Sequence, residues 1–491
     1  MSRYDDIVIG AGVNGLVAAT RLGMGGRRVL LVDRAETPGG RCASHEFHPG
    51  FRSPGLLSDT SALRPVVLQE LDLNRFGILR RAESSSCVTL CPDRGVLDPD
   101  ATSSPWHAWI GEVAPVIEAF VDDAPLDLLH PERAPLSELI QRGLELRRLG
   151  RKTMMQLLRV PPMAVADWLR ESFDDEPTMA ALALPALKGT WLAPRSPGSA
   201  FNLLFDRAIA GPPIRGGTPA LVEGLVAAAE DASVEIRCGA AVDRLHLSGE
   251  RVAGVRLEDG ATVEAERVAA SNGPRQVMLQ WLPPGRLPWR QRRRYEAYRC
   301  RGTTAQLLLA LDGVPEVLDG VEYAQTATSL DAIERAFDAV KYRRFSDEPV
   351  LWLHQASLRA AGLAPEGGAV VAAMIQYAPH DLDGGWDDSA REALVSTAMR
   401  VLERHVPGIG ARVVGSRLLT PTDIEQRYGL EGGQIHHGEH ALDQWLVRPE
   451  PDAALYRTPV PGLWFCGGGS HPGGGLTGAP GRHAARAMLA D

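Results

Sequence analysis

Two short apolar runs frame the start of the chain. Residues 7–9 lead into Gly10-Ala11-Gly12-Val13-Asn14-Gly15, and residues 29–32 end on Asp33, with an Ala- and Leu-rich stretch between them. Continuous short apolar runs read as strands buried on both faces, and the longer stretch reads as a helix. The order is therefore strand, glycine turn, helix, strand. Further runs predict a helix over 64–73 and another over 219–231. They predict strands at 234–238, 240–245, 251–257 and 262–270, turning at Gly249 and at Asp259-Gly260. A second group of strands follows at 303–311, 349–355 and 368–376, then a helix over 387–405. The chain closes on an apolar run at 463–466, a glycine-rich loop and a helix over 480–489. The stretch 135–173 is helical and partly basic, and 179–210 is apolar and punctuated by Pro and Gly.

The opening unit carries chemistry. Gly10 permits a sharp turn, Gly12 lets backbone approach a pyrophosphate, and Gly15 lets the helix pack against the strand. The helix N-terminus presents free N–H groups and positive dipole to phosphates. Asp33 stands 18 residues beyond Gly15, placed to accept hydrogen bonds from a ribose. Strand, helix and acid surround the motif, so a dinucleotide binder is the reading. Gly408-Ile409-Gly410 follows a helix and Pro407 instead of a strand, and is set aside.

Composition narrows the class. A chain of 491 residues suits two domains, and 44% apolar content can bury a large core. A net charge of −9 argues against nucleic-acid binding. The six cysteines form no CxxC pair or zinc spacing, which suits a reducing, cytoplasmic setting. The first strand begins too early for a signal peptide to precede it, and no apolar run is long enough to span a bilayer. The interleaved Arg142, Arg147, Arg148, Arg151, Lys152 and Arg159 describe either a solvated helix face or a peripheral membrane contact. Arg290 to Arg301, with Tyr295 and Tyr298, reads as an exposed helix before a strand.

After Asp33 and Arg34 comes Gly39-Gly40-Arg41, then Ser44. With the opening fingerprint, this extension resembles that of the phytoene desaturase and amine oxidase superfamily of FAD-dependent oxidoreductases. Gly467-Gly468-Gly469, Gly473-Gly474-Gly475-Leu476-Thr477-Gly478 and the following helix resemble its C-terminal FAD motif. The stretch Gly432-Gly433-Gln434-Ile435-His436-His437-Gly438-Glu439 resembles the phytoene desaturase-like branch, in particular the pyridine nucleotide-disulfide oxidoreductase domain proteins. The resemblance implies an α/β fold: a Rossmann-type, glutathione reductase-like FAD-binding domain with an inserted α+β substrate domain. The FAD-binding domain would take residues 1–75, 211–275 and 455–491, and the substrate domain 76–210 and 276–454.

The cofactor implied is FAD, held without a covalent bond. The residues implied for it are Gly10, Gly12, Asn14, Gly15, Asp33, Arg34, Gly40, Arg41, Val242, Gly468, Leu476 and Thr477. Val242 would meet the adenine end through its main chain, or is a plain core valine. The implied reaction is hydride transfer from a C–H bond to the flavin. The flavin carries that chemistry, so neither a catalytic triad nor a metal is required. His436 and His437 are candidates for proton handling, or hydrogen-bond their own loop. Lys188 either holds a water in the site or extends to solvent. The leading expectation is a desaturase or dehydrogenase acting on an apolar or extended organic substrate, with oxygen or a quinone as electron acceptor. An amine oxidase-like reaction on a small metabolite is the second reading. A non-catalytic escort or dissociation inhibitor of small GTPases, which share this architecture, is the third; the intact glycine motifs argue against it.

Overall fold

The computed structural model describes residues 4–101, 103–125, 143–144, 147–445 and 447–491. The expected basic helix over 135–173 falls partly outside these residues, Arg142 included. Its described part holds helices Gly150–Arg159 and Val165–Arg170. On the first of these, Met155 and Leu158 are 56% and 68% exposed beside exposed Arg151 and Lys152. Among the described residues, no helix is long and apolar enough to cross a membrane.

The first sheet gathers distant pieces of chain. Strands Glu235–Arg237, Val29–Val32, Tyr4–Ile9, Thr262–Ala270 and Leu463–Phe465 lie parallel in that order. The first half of Thr262–Ala270 pairs antiparallel with Arg251–Leu257, which pairs with Val242–Ser248. Side chains alternate between the faces of the sheet. Val8 and Leu31 join a core with Leu16, Val17, Leu221 and Ala484, from helices Val13–Met24, Gly217–Asp231 and Ala479–Leu489. Ile7, Ile9, Leu30 and Val32 pack on the opposite face with Val242, Leu245 and Val252. This two-faced burial explains why the strands read as unbroken apolar runs. The domain is Rossmann-type.

The second sheet runs Val413–Leu419, Thr304–Leu311, Ala369–Gln376, Val350–Gln355, Tyr323–Gln325, Cys87–Cys91, Gly95–Leu97. Its two faces differ in chemistry. Leu307, Leu309, Leu351, Leu353, Ala373 and Ile375 pack with Leu394, Ala398 and Val401 of helix Asp388–His405. The opposite face carries Gln306, Gln325, Trp352, His354, Met374 and Gln376. These polar groups are tied inward: Gln306 Nε2 donates to the Gly55 carbonyl at 2.9 Å, and Gln376 Nε2 to that of Leu187 at 2.8 Å. Helices Glu176–Leu187 and Ser199–Ile209 cover this side and belong to a separate aromatic-rich core with Trp106, Trp168 and Phe337. The expected helix over 64–73 is shorter, Pro65–Glu70, because the chain then turns through a left-handed Asp72.

Candidate active site

A groove of about 600 Å³ runs along the C-terminal ends of the parallel strands. Gly10 leaves the first strand with φ +98°, where an added Cβ would stand 2.3 Å from Ser271 Oγ. Gly15 lies under this turn: its Cβ would fall 1.8 Å from the Gly10 carbonyl oxygen. Gly12 caps helix Val13–Met24 without a side-chain hydrogen bond, so the first N–H groups of that helix remain for a ligand. The Gly39–Gly40 extension returns to this loop, with the Gly39 N–H donating to the Ala11 carbonyl at 2.8 Å. Asp33 accepts from the Ala11 and Ala35 N–H groups, at 2.6 and 2.8 Å. Each carboxylate oxygen keeps a lone pair.

Most of the expected cofactor residues line this groove: Gly10, Gly12, Asn14, Asp33, Arg34, Gly40, Arg41, Val242, Gly468 and Leu476. Gly15 and Thr477 do not. Gly15 shapes the turn beneath it. Thr477 is buried at the entry to the last helix, where its Oγ1 accepts from the Ala479 N–H at 3.3 Å and its carbonyl from the Arg64 N–H at 3.0 Å. Arg34 donates to the Gln426 carbonyl at 2.7 Å and closes one rim.

Several groove residues carry polar atoms without a partner: Asn14 Oδ1, Ser44 Oγ, Asn272 Oδ1, Gln276 Oε1 and His437 Nδ1. Buried polar atoms are ordinarily satisfied, so this row marks a surface made for a polar ligand. Arg41 reinforces it. Its guanidinium donates to the Ile435 carbonyl, and no carboxylate pairs with it among the described residues. Burial is the main cause that lowers its pKa to about 10, with Arg448 also repelling it. It remains a cation at neutral pH, suited to an anionic ligand.

Arg448 is 1% exposed and makes four hydrogen bonds, all to carbonyls: Nε to Gly468 (3.0 Å), Nη1 to Glu439 (2.8 Å), Nη2 to His436 (2.9 Å) and Gly438 (3.0 Å). It fastens the histidine loop to the C-terminal glycine loop. Arg448-Pro449 closes the stretch that resembles the phytoene desaturase-like branch, but sequence reasoning gave the arginine no role of its own.

The neighbouring histidines part company. His437 lines the groove, whereas His436 lines a second, smaller cavity of about 100 Å³. The left-handed backbone of His437, φ +58°, accompanies this divergence. Burial drives both imidazoles well below their ordinary pKa, and Arg41 and Arg448 add to the effect. Both are neutral at neutral pH. The Nε2 of His436 lies 3.2 Å from the Lys188 carbonyl, which can only accept. Its proton is thereby assigned to Nε2, and Nδ1 is an unpartnered acceptor.

The second cavity also meets Lys188, Asp59, Asn202, Phe205, Asp206, Ile209, Trp352, Met374, His440 and Leu476. Lys188 caps helix Glu176–Leu187, and its ammonium stands 3.7 Å from the centre of the Trp352 ring. Asp206 arrives from helix Ser199–Ile209, and burial raises its pKa. Leu476 borders both cavities, so the groove and the second cavity meet at the C-terminal glycine loop. Asp206, Asp59, His440 and Asn202 were not singled out from the sequence.

Comparison with known proteins agrees with the Rossmann-type fold. Residues 8–59 match the NAD(P)-binding Rossmann-like domain family. The chain is 29% identical over 543 residues to pyridine nucleotide-disulfide oxidoreductase domain-containing protein 2 of Rattus norvegicus, covering 99% of this chain and 94% of that protein. It is 25% identical over 504 residues to the lycopene-forming phytoene desaturase of Pantoea ananas, covering 98% of each. The chain is an oxidoreductase similar to the phytoene desaturases. Among solved structures, wild-type putrescine oxidase bound to putrescine shares the fold, with TM-score 0.61 and 16% identity over 100% of this chain and 99% of that one. The likeness to these two curated relatives covers 98% or more of this oxidoreductase, including the stretch 87–210 that carries no motif.

Proposed function

We propose that this chain is an FAD-dependent desaturase or dehydrogenase that removes a hydride equivalent from a C–H bond of an organic substrate with an apolar or extended body. The observation that supports it most directly is the meeting of two cavities at Leu476, one a long groove that suits a dinucleotide and one small and walled by side chains. The groove fits FAD by its residues. Asp33 would accept from ribose hydroxyls, and Arg41 with the first N–H groups of helix Val13–Met24 would hold the pyrophosphate. Ala241 and Val242 line the groove and would meet the adenine end. Asn272, Gln276, Ser44 and His437 would answer the remaining polar edge. Cys42 is the one thiol at the groove, and burial pushes it up to about 12. It is therefore not a thiolate nucleophile, which supports non-covalent binding.

Bound FAD would supply the hydride acceptor. The chain's own part is position and exclusion of water. Phe205, Ile209, Trp352 and Met374 shape the second cavity around the substrate body. His436 offers a neutral acceptor, and Lys188 a cation, beside the reacting carbon; His437 is the candidate contact to the cofactor. Oxygen or a quinone is the proposed electron acceptor.

The test is spectroscopic. The purified protein, incubated with FAD and desalted, should keep a flavin spectrum that Arg41→Met loses. Anaerobic addition of carotenoids, steroids, alcohols and amines should bleach it with one class. A protein that stays colourless and takes up no FAD would end this reading.

A further inference from the structure

The second cavity is rich in hydrogen-bond acceptors. Three residues lining it are buried and carry an acceptor without a partner: His436 Nδ1, Asn202 Oδ1 and His440 Nε2. The assignments are fixed by neighbours. Asn202 Nδ2 donates to the His440 carbonyl at 3.1 Å, and His436 holds its proton on Nε2. His440 hydrogen-bonds the Pro472 backbone, and burial takes its pKa down to about 3, so it too is neutral. Asp59 and Asp206 add carboxylates. Asp59 spends one oxygen on the Ser61 N–H at 2.9 Å, and the Asp206 side chain makes no hydrogen bond or ion pair among the described residues. Lys188 is the single cation in the wall, and no carboxylate lies within ion-pair distance of it among the described residues.

We propose that this cavity receives a neutral substrate whose head is a hydrogen-bond donor, a hydroxyl group, held by Asn202, His436, His440 and Asp206. The proposal rests on the oxidoreductase reading above and names the substrate class of the same site. A pure hydrocarbon would displace water from these acceptors and leave every one of them unpaired. A carboxylate would be drawn to Lys188, but would meet lone pairs and the carboxyl groups of Asp59 and Asp206 over the rest of the polar wall. An ammonium would find carboxylates, but would share a small cavity with the ammonium of Lys188, and like charges repel. A hydroxyl satisfies an acceptor and adds no charge. The apolar remainder of the wall then takes the body of the molecule.

The experiment uses four probes of one shape: cyclohexanol, methylcyclohexane, cyclohexylamine and cyclohexanecarboxylate. Each is titrated at pH 7.5 into the FAD-incubated protein. Binding is read from the flavin band and from tryptophan fluorescence, since Trp352 stands in the cavity wall. The expected result is that cyclohexanol binds at least tenfold tighter than the other three. Asn202→Leu should weaken cyclohexanol about tenfold and narrow its advantage over methylcyclohexane. Lys188→Met should strengthen cyclohexylamine about tenfold. Equal or tighter binding of the hydrocarbon or of either ion, no binding of any probe, or variants that leave the ranking unchanged would overturn the proposal. If FAD fails to bind, the cofactor reading falls, and tryptophan fluorescence still decides the cavity's preference.

Discussion

Two glycines in one loop make opposite predictions. At Gly12 an added Cβ has nothing closer than the Gly40 Cα at 3.9 Å, and the residue opens onto the groove. At Gly15 the same atom would stand 1.8 Å from the Gly10 carbonyl oxygen and 3.0 Å from its carbon, both backbone atoms of the first turn. Ala within a helix gains roughly 1 kcal/mol over Gly. Overpacking a tight core costs roughly 1–3 kcal/mol, and a clash with backbone belongs at the upper end. Gly15→Ala should therefore lose about 2 kcal/mol net, a melting temperature lower by roughly 4–8 °C for a domain of this size. Gly12→Ala should leave the melting temperature of the FAD-free protein unchanged, or raise it slightly through the reduced entropy of the unfolded chain. Yet its methyl group would occupy the space where a pyrophosphate approaches, and FAD affinity should fall by roughly a hundredfold, about 2.7 kcal/mol. The assays are thermal unfolding without FAD and a fluorescence titration with it. The reasoning fails if Gly15→Ala is as stable as the parent, or if Gly12→Ala binds FAD normally.

His436→Ala should slow substrate-driven flavin reduction and keep FAD, while His437→Ala should weaken FAD retention; rapid-mixing absorbance and a desalting assay tell them apart, and exchanged outcomes would refute the assignment of each ring to its cavity. Arg448→Lys should not rescue Arg448→Met, because one ammonium cannot reach the four carbonyls that the planar guanidinium spans; both should release FAD from the desalted protein, and retention by the lysine variant would argue against that role. The buried imidazoles set an acid limit. His354, His440 and His483 have pKa values pushed down to about 3 by burial, whereas an unfolded imidazole titrates near 6.5. Between those values the unfolded chain binds more protons, so stability is full above pH ~6.5 and falls as pH drops toward 3. Each group contributes roughly 1.4 kcal/mol per pH unit, about 4 kcal/mol for the three together. Near-ultraviolet circular dichroism from pH 7.5 to 4 should show cooperative unfolding, and a flat signal would contradict the neutral assignments.

The first sheet could be read from sequence because its information is local and redundant. Residues 7–9 and 29–32 are apolar throughout since helices cover one face and the 242–257 hairpin the other, and Gly10, Gly15 and Asp33 sit at fixed distances from them. The terminal run at 463–465 is equally plain. The stretch 76–210 was opaque for the converse reason. Helix Glu176–Leu187 buries eight of its 12 residues and contains Pro185, so it shows neither an amphipathic stripe nor clean helical chemistry. The apolar stretch and its lysine pointed to a cavity wall at Lys188, but with no polar face to mark the helix's orientation nothing in the sequence revealed that Asp206, 18 positions later on another helix, would line the same cavity.

The histidine pair shows where pattern reading stops for a physical cause. Consecutive residues in a strand point to opposite faces, and in a helix they diverge by about 100°. His436 and His437 lie in an irregular loop, and their divergence is fixed by contacts from afar: the Arg448 guanidinium grips the carbonyls on either side, and Tyr298 Oη donates to the His437 carbonyl at 3.1 Å. Those partners lie 11 to 139 positions away in sequence. One loop thereby gives a ring to each cavity, so in the proposed reading cofactor and substrate would meet adjacent residues on one segment. A substitution that loosens Arg448 should disturb both sites at once, whereas substitution of either histidine should disturb one.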